Sequence, residues 1–316
     1  MNQHAEFAQL FTGLVLALLG ATLAAAAARR WGRTTGRKAL ILQTLFVRIN
    51  AWWAMLVALS LAAFAGRAGI VVLFALVSFS ALREFLTLTA KRRADHWVLM
   101  FSFFFALPGQ YLLVYFGQVG LFSIFIPVYA FLFLPVLAVA KGDTAGFLTR
   151  VAETQWGLML CIFAAAHVPA LLLVEIPGYE GREILLIAWL VIVVQAGDIA
   201  HFIAPRLAGR TRIAKKIHHS RSWEGFVGAL GTGVIVGTGL AWITPFGPWA
   251  AALLALAVSV LGYAGGMVMT AIKRDKGVQD WGHLLPGEGG LIDRLDSVLF
   301  AAPVFFHLVR FFSGTG

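Results

Sequence analysis

Residues Phe7–Ala28 read FAQLFTGLVLALLGATLAAAAA, without a charged side chain, and Arg29 and Arg30 follow directly. About 20 apolar residues are what a helix needs to cross the hydrocarbon core of a bilayer. Lipid offers the backbone no water, so such a run must satisfy its N–H and C=O groups within itself, as a helix. No basic stretch precedes the run, so it is expected to be a retained span rather than a cleaved leader.

The same pattern recurs along the chain. Further spans are expected at Ala51–Ala65, Ile70–Thr87, Trp97–Phe116, Leu121–Ala140, Trp156–Val174, Ile184–Ala204, Phe226–Ile243, Trp249–Met269 and Leu291–Phe312. The loop Gly66–Gly69 is very short, which leaves the count of the Ala51 and Ile70 segments open. Composition agrees: 60% of the 316 residues are hydrophobic and 13% charged, with mean hydropathy +0.84. A soluble domain of this size carries about a quarter charged residues. The expected fold is therefore all-α, a polytopic integral membrane protein of about ten transmembrane helices forming one membrane domain over residues 1–316.

Charge sets the orientation. If the first span runs inward, the cytoplasmic loops are Arg29–Asn50, Lys91–His96, Lys141–Thr154, Arg206–Glu224 and Lys273–Gly290, and these hold most of the Lys and Arg. The other side keeps only Arg67, Arg182 and Arg310, and its loop EIPGYEGRE is acidic. Basic residues gather in cytoplasmic loops, so both termini are expected outside. The net charge of +10 is then read as topology and attraction to anionic lipid, not as nucleic-acid binding. The single cysteine, Cys161, lies in an apolar run and can form no intramolecular disulfide. The glycine-crowded stretch GFVGALGTGVIVGTG, Gly225–Gly239, suits close packing of helices.

Two regions carry polar residues that topology leaves unexplained. The first, Gln195–Gly228, places Asp198 and His201 inside an apolar helix near its cytoplasmic end. An ionisable group there is costly and normally faces a polar cavity or partner. The second, Thr270–Phe300, reads TAIKRDKGVQDWGHLLPGEGGLIDRLDSVLF. Asp293 and Asp296 stand three apart at the start of the last helix and share a face, with Asp280 upstream. Clustered carboxylates repel unless a cation bridges them, and oxygen ligands suit magnesium. Gly287, Gly289 and Gly290 permit a tight turn. Lys273, Arg274 and Arg294 offer donors suited to phosphate. Acids for a metal beside bases for phosphate describe a phosphoryl-transfer or nucleotide site.

These residues bring a family into view. Thr270–Asp296 resembles the signature of phosphatidate cytidylyltransferases, with Lys273 and Arg274 as the Lys-Arg pair and Asp280 as the aspartate that follows. Pro286, Gly289 and Gly290 fit its turn, and Asp293, Arg294 and Asp296 fit its closing Asp-Arg-x-Asp. Ser222, Trp223, Glu224 and Gly225 are similar to its Thr-Trp-Glu-Gly element, and Asp198 matches an aspartate of the family. Thr270, Gln279 and Glu288 depart from its serine, lysine and histidine. His218 and His219 lie near the place where the family carries Ser-Pro. The likeness covers residues 156–316, the catalytic half, while residues 1–155 share only hydrophobic character.

The resemblance implies a divergent paralogue that transfers the cytidylyl group of CTP to phosphatidic acid, giving CDP-diacylglycerol and pyrophosphate. It implies Asp280, Asp293, Asp296, Lys273 and Arg294 as catalytic, and Arg274, Arg221, Ser222 and Glu224 as substrate-binding. It implies Asp280, Asp293, Asp296 and Asp198 as ligands of Mg2+, with a second, monovalent cation also admitted. Membrane lipids are implied as partners and a homodimer is compatible, in a bacterial inner membrane with the active site facing the cytoplasm. Two other classes stay open: a CTP-dependent kinase of polyprenol-type lipids, and a catalytically weak membrane scaffold or lipid transporter.

Overall fold

The computed structural model describes residues 3–31, 37–89, 92, 95–209, 211, 213, 222–282 and 289–314. Among the described residues ten helices follow one another, with a short 3-10 helix at Ala241–Ile243 after the eighth. They are α1 (Gln3–Trp31), α2 (Arg37–Phe64), α3 (Gly66–Thr87), α4 (His96–Tyr115) and α5 (Val119–Val139), then α6 (Phe147–Leu173), α7 (Ile184–Leu207), α8 (Trp223–Gly239), α9 (Pro248–Asp275) and α10 (Ile292–Phe312). Eight of these are long and apolar enough to cross a membrane. Among the described residues the apolar stretch of α2 is Ile49–Phe64, and α8 has only 17 residues. The all-helical polytopic architecture read from the sequence is the one observed.

The segments Ala51–Ala65 and Ile70–Thr87 are separate helices. Gly66 breaks the chain between them at φ +67, a conformation that costs glycine nothing and other residues a clash. Two expected loops are shorter than read. α1 continues to Trp31 and α2 begins at Arg37, so much of Arg29–Asn50 is helical, and α6 begins at Phe147 inside Lys141–Thr154. Lys, Arg and Leu are good helix formers, so nothing in these sequences stops a helix where the lipid ends. α4 and α5 each widen into a π-turn, at Ser102–Ala106 just before Pro108 and at Phe125–Ala130 around Pro127. A wider turn absorbs the N–H that proline lacks.

α7, α8, α9 and α10 pack closely on one another, and α6 joins this bundle to α3. Accordingly 72% of the apolar window of α6 is buried, against 17% for α1, which lies at the periphery. Four glycines of α8, Gly225, Gly228, Gly233 and Gly237, serve packing as the sequence suggested, while Gly231 and Gly239 face open space. A Cβ at Gly228 would sit 2.6 Å from the Ala204 Cβ of α7, and one at Gly237 would sit 2.5 Å from the Ala255 Cβ of α9. Cys161 is fully buried.

Charged side chains tie the two ends of the bundle separately. At one end Arg182 pairs with the buried Glu6 and lies 4.7 Å over the ring of Tyr179, whose hydroxyl donates to the Ile243 carbonyl. The start of α1 and the loop before α7 therefore share an end. At the other end Arg150, itself buried, pairs with Asp95 at 3.2 Å and Asp143 at 3.3 Å, and Lys276 pairs with Glu153. The Ala145 N–H, then the guanidiniums of Arg92 and Arg150, hold the Asp143 carboxyl below its ordinary range. This second end carries the polar cluster described next.

Candidate active site

Helix α9 ends at Asp275 with Lys273 and Arg274 in its last turn, where cations complement the helix dipole. The chain reverses through Gly277 at φ +70 and returns through Trp281 and Gly289–Leu291 to the start of α10. Asp293, in the first turn of α10, fastens this reversal. Its Oδ1 accepts a hydrogen bond from Lys273 Nζ at 2.6 Å. Its Oδ2 accepts the backbone N–H groups of Trp281 and Gly290, each at 3.0 Å. One carboxylate thus joins the end of α9, the returning loop and the last helix.

Asp280 lies on the other side of Gly289. A Cβ at Gly289 would stand 2.9 Å from Asp293 Oδ2 and 3.1 Å from the Asp280 Cβ. The residue also adopts φ +89, so both space and backbone require glycine. Asp280 itself is exposed, and Asp293 is partly buried.

The remaining two acids form a second pair one turn deeper. The buried Ser297 hydroxyl reaches Asp198 Oδ1 of α7 at 3.0 Å and Asp296 Oδ1 at 3.4 Å. A narrow cavity runs beside this pair, lined by Gly197, Asp198, Ser259, Gly262, Tyr263 and Ser297. The aspartate placed inside an apolar helix by the sequence therefore has a polar partner in Ser297, while the cavity beside it is also walled by Val193, Val194, Ala229 and Val258. His201 instead packs on Tyr263, with ring centroids 5.3 Å apart, and against Gly225.

Ser222 and Glu224 shape the start of α8. The buried Ser222 hydroxyl accepts the Gly225 N–H at 3.1 Å, an N-cap, and the Ser222 carbonyl accepts the Tyr263 hydroxyl at 3.1 Å. Both oxygens of Glu224 accept the Thr211 N–H at 2.9 Å. Thr270 bonds back to the Gly266 carbonyl at 2.7 Å. Arg274 and Gln279 are exposed, and Arg294 is partly exposed. Arg221, His218, His219, Pro286, Gly287 and Glu288 lie outside the described residues.

The donor set can be tested against magnesium. Among the described residues no three His, Cys, Asp or Glu side chains gather closely enough to hold a metal by themselves. The acids form two pairs, Asp280 with Asp293 and Asp198 with Asp296. Magnesium usually takes one or two carboxylates and completes its shell with water and substrate phosphate. Asp280 and Asp293, with Lys273 bonded to Asp293, fit that habit.

One residue at the site escaped the sequence reading. Glu84 of α3 is buried, yet its carboxylate accepts the Leu291 N–H at 2.9 Å and the Ile292 N–H at 3.0 Å. The available signal was an acid, beside Arg83, near the end of a largely apolar span.

The sequence matches the profile of the Cytidylyltransferase family over residues 46–312. It is 36% identical over 269 residues to Uncharacterized protein YnbB of Escherichia coli (strain K12), covering 84% of this chain and 87% of that one. It is 39% identical over 157 residues to the phosphatidate cytidylyltransferase of Mycobacterium leprae (strain TN), covering 47% of this chain and 48% of that one. With the phosphatidate cytidylyltransferase of Bacillus subtilis (strain 168) it shares 28% identity over 222 residues, covering 68% and 78%. The matched region takes in α3 through α10 and every described acid of the two pairs, so the chain belongs to the cytidylyltransferase family and is a membrane-embedded nucleotidyltransferase.

Proposed function

We propose that this protein transfers the cytidylyl group of CTP to a lipid phosphate, phosphatidic acid, releasing pyrophosphate and forming CDP-diacylglycerol. The observation that carries the reading is the meeting of Lys273, Asp293 and the Gly289–Gly290 turn, with Asp280 alongside and the Asp198–Asp296 pair one turn deeper. The family and the phosphatidate cytidylyltransferase relatives support it.

In this reaction an oxygen of the lipid phosphate attacks the α-phosphorus of CTP. A new P–O bond forms while the bond from the α-phosphorus to the bridging oxygen breaks, and pyrophosphate leaves with that electron pair. The nucleophile is already an anion at neutral pH, so no side chain need remove a proton from it. What the protein supplies is position and charge. Lys273, Arg274, Arg294 and Arg221 are assigned to phosphate oxygens of CTP and lipid, with Ser222 and Glu224 shaping the neighbouring wall. Asp280, Asp293, Asp296 and Asp198 are assigned to magnesium, which supplies Lewis-acid neutralisation of phosphate charge when bound. The site is assigned to the cytoplasmic side, where the basic loops are expected.

The test uses purified protein in phosphatidic-acid vesicles with CTP labelled in turn at the α and γ positions. Label from the α position in the lipid, with pyrophosphate released, is the expected result. CDP and a γ-labelled lipid would instead mark a lipid kinase, and no product with any lipid phosphate would mark a scaffold.

A further inference from the structure

We infer that Glu84 is a positioning residue for the acid pairs: a carboxylate from the N-terminal half holds the first turn of α10, and so sets where Asp293 and Asp296 stand. The inference rests on the proposed site, and it adds a function for helices whose sequence showed only hydrophobic character.

A helix begins with N–H groups that have no partner inside it, and a side chain at the N-cap usually takes one. Leu291 holds that position in α10 and makes no side-chain cap. Glu84 provides the acceptors from another helix, one oxygen to Leu291 N and the other to Ile292 N. A carboxylate here is also favoured by the positive end of the helix dipole.

The fit around it is close. Gly282 and Gly290 lie against the carboxylate so tightly that a Cβ would come within 3.0 Å of Glu84 Oε1 and 2.6 Å of Oε2. The next residue, Phe85, stacks on Trp281 with ring centroids 5.2 Å apart and planes at 19°. Trp281 and Gly290 are the residues whose N–H groups Asp293 accepts. Both arms of the reversal therefore rest on consecutive residues of α3, and Asp293 is oriented by the backbone that Glu84 fixes. Asp296 follows on the same helix one turn later. Desolvating a carboxylate is costly unless its hydrogen bonds are made, so the arrangement tolerates little drift.

The experiment compares wild type with Glu84→Gln and Glu84→Ala. Gln keeps the shape and one acceptor but turns an NH2 toward an N–H. Hydrogen exchange of the peptide covering 289–295 reads the clamp without activity, and titration with Mn2+ alone reads the acid pairs without CTP. Magnesium-dependent turnover is the third measurement. Glu84→Gln is expected to speed exchange in 289–295 while α7 and α9 stay protected. It should also weaken Mn2+ binding and raise the magnesium concentration for half-maximal turnover, each by about tenfold, as for other groups that orient ligands. A variant that merely loses folded protein would lower maximal turnover and leave both midpoints in place. Unchanged exchange, or faster exchange with both midpoints unchanged, overturns the inference. If wild type makes no product from CTP, the proposed reaction fails, and exchange and Mn2+ binding still decide the role of Glu84. Should Glu84→Ala not fold, Glu84→Gln carries the decision.

Discussion

Asp280 and Asp293 were indistinguishable as letters in a motif, and the structure separates them. Asp293 accepts from Lys273 and two backbone N–H groups, whereas Asp280 is exposed beside Gly289. Asp280→Asn should therefore leave stability within about 0.5 kcal/mol of wild type, as surface changes do. Its turnover should fall by about 100-fold or more, the scale of losing a group that stabilises transition-state charge. Near-normal turnover across a magnesium titration would remove Asp280 from the ligand set. Asp293→Asn should lose turnover to the same degree and also destabilise the fold by about 1–3 kcal/mol, because its amide cannot serve Lys273 and both N–H groups. Thermal unfolding in detergent checks that difference. The grouping of Asp280, Asp293 and Asp296 around Gly289 and Gly290 could be read from the sequence because they sit within a short stretch of chain. Glu84 could not, since it acts across a separation of 207 residues to Leu291 and no spacing rule reaches so far.

At the scale of elements, the expected spans include all eight helices long and apolar enough to cross a membrane, while the expected spans Ala51–Ala65 and Phe226–Ile243 correspond to α2 and the 17-residue α8. Where a helix begins was not legible: α2 starts at Arg37, well before the expected Ala51. The glycine content of α8 was read as a packing face, and the structure divides that face residue by residue. Gly237 has no room for a side chain beside Ala255 and Trp189, whereas nothing approaches within 4 Å of a Cβ at Gly231. Gly237→Leu should abolish the folded bundle, seen as aggregation on size exclusion in detergent. Gly231→Ala should elute like wild type and unfold at the same or slightly higher temperature, because Ala is a better helix former by about 1 kcal/mol. Equal behaviour of the two would mean that α8 does not pack on α7 and α9 through this face.

For the molecule as a whole, the distribution of Lys and Arg proposes which end faces the cytoplasm, and the ion pairs say which loops share an end. Glu6 with Arg182 marks one end, and Lys276 with Glu153 marks the other. A cysteine at Glu180, which is exposed, should react with a membrane-impermeant maleimide in intact cells. One at Asp275, whose side chain is 77% exposed, should react only after the membrane is opened. Tyr179, in the same loop, would be a poor choice because it is buried. The opposite labelling pattern would invert the protein and move the CTP site away from the nucleotide.

That experiment is simple to stage because of where Cys161 lies. It is the chain's sole thiol, and it is sealed among α6 side chains and their neighbours. Chemically the protein is a dark background: any thiol-reactive dye or spin label reports only the position an experimenter has chosen. Pairs of such reporters, one on α3 and one on α10, could act as a molecular ruler across the clamp while nucleotide, lipid and metal are added in turn.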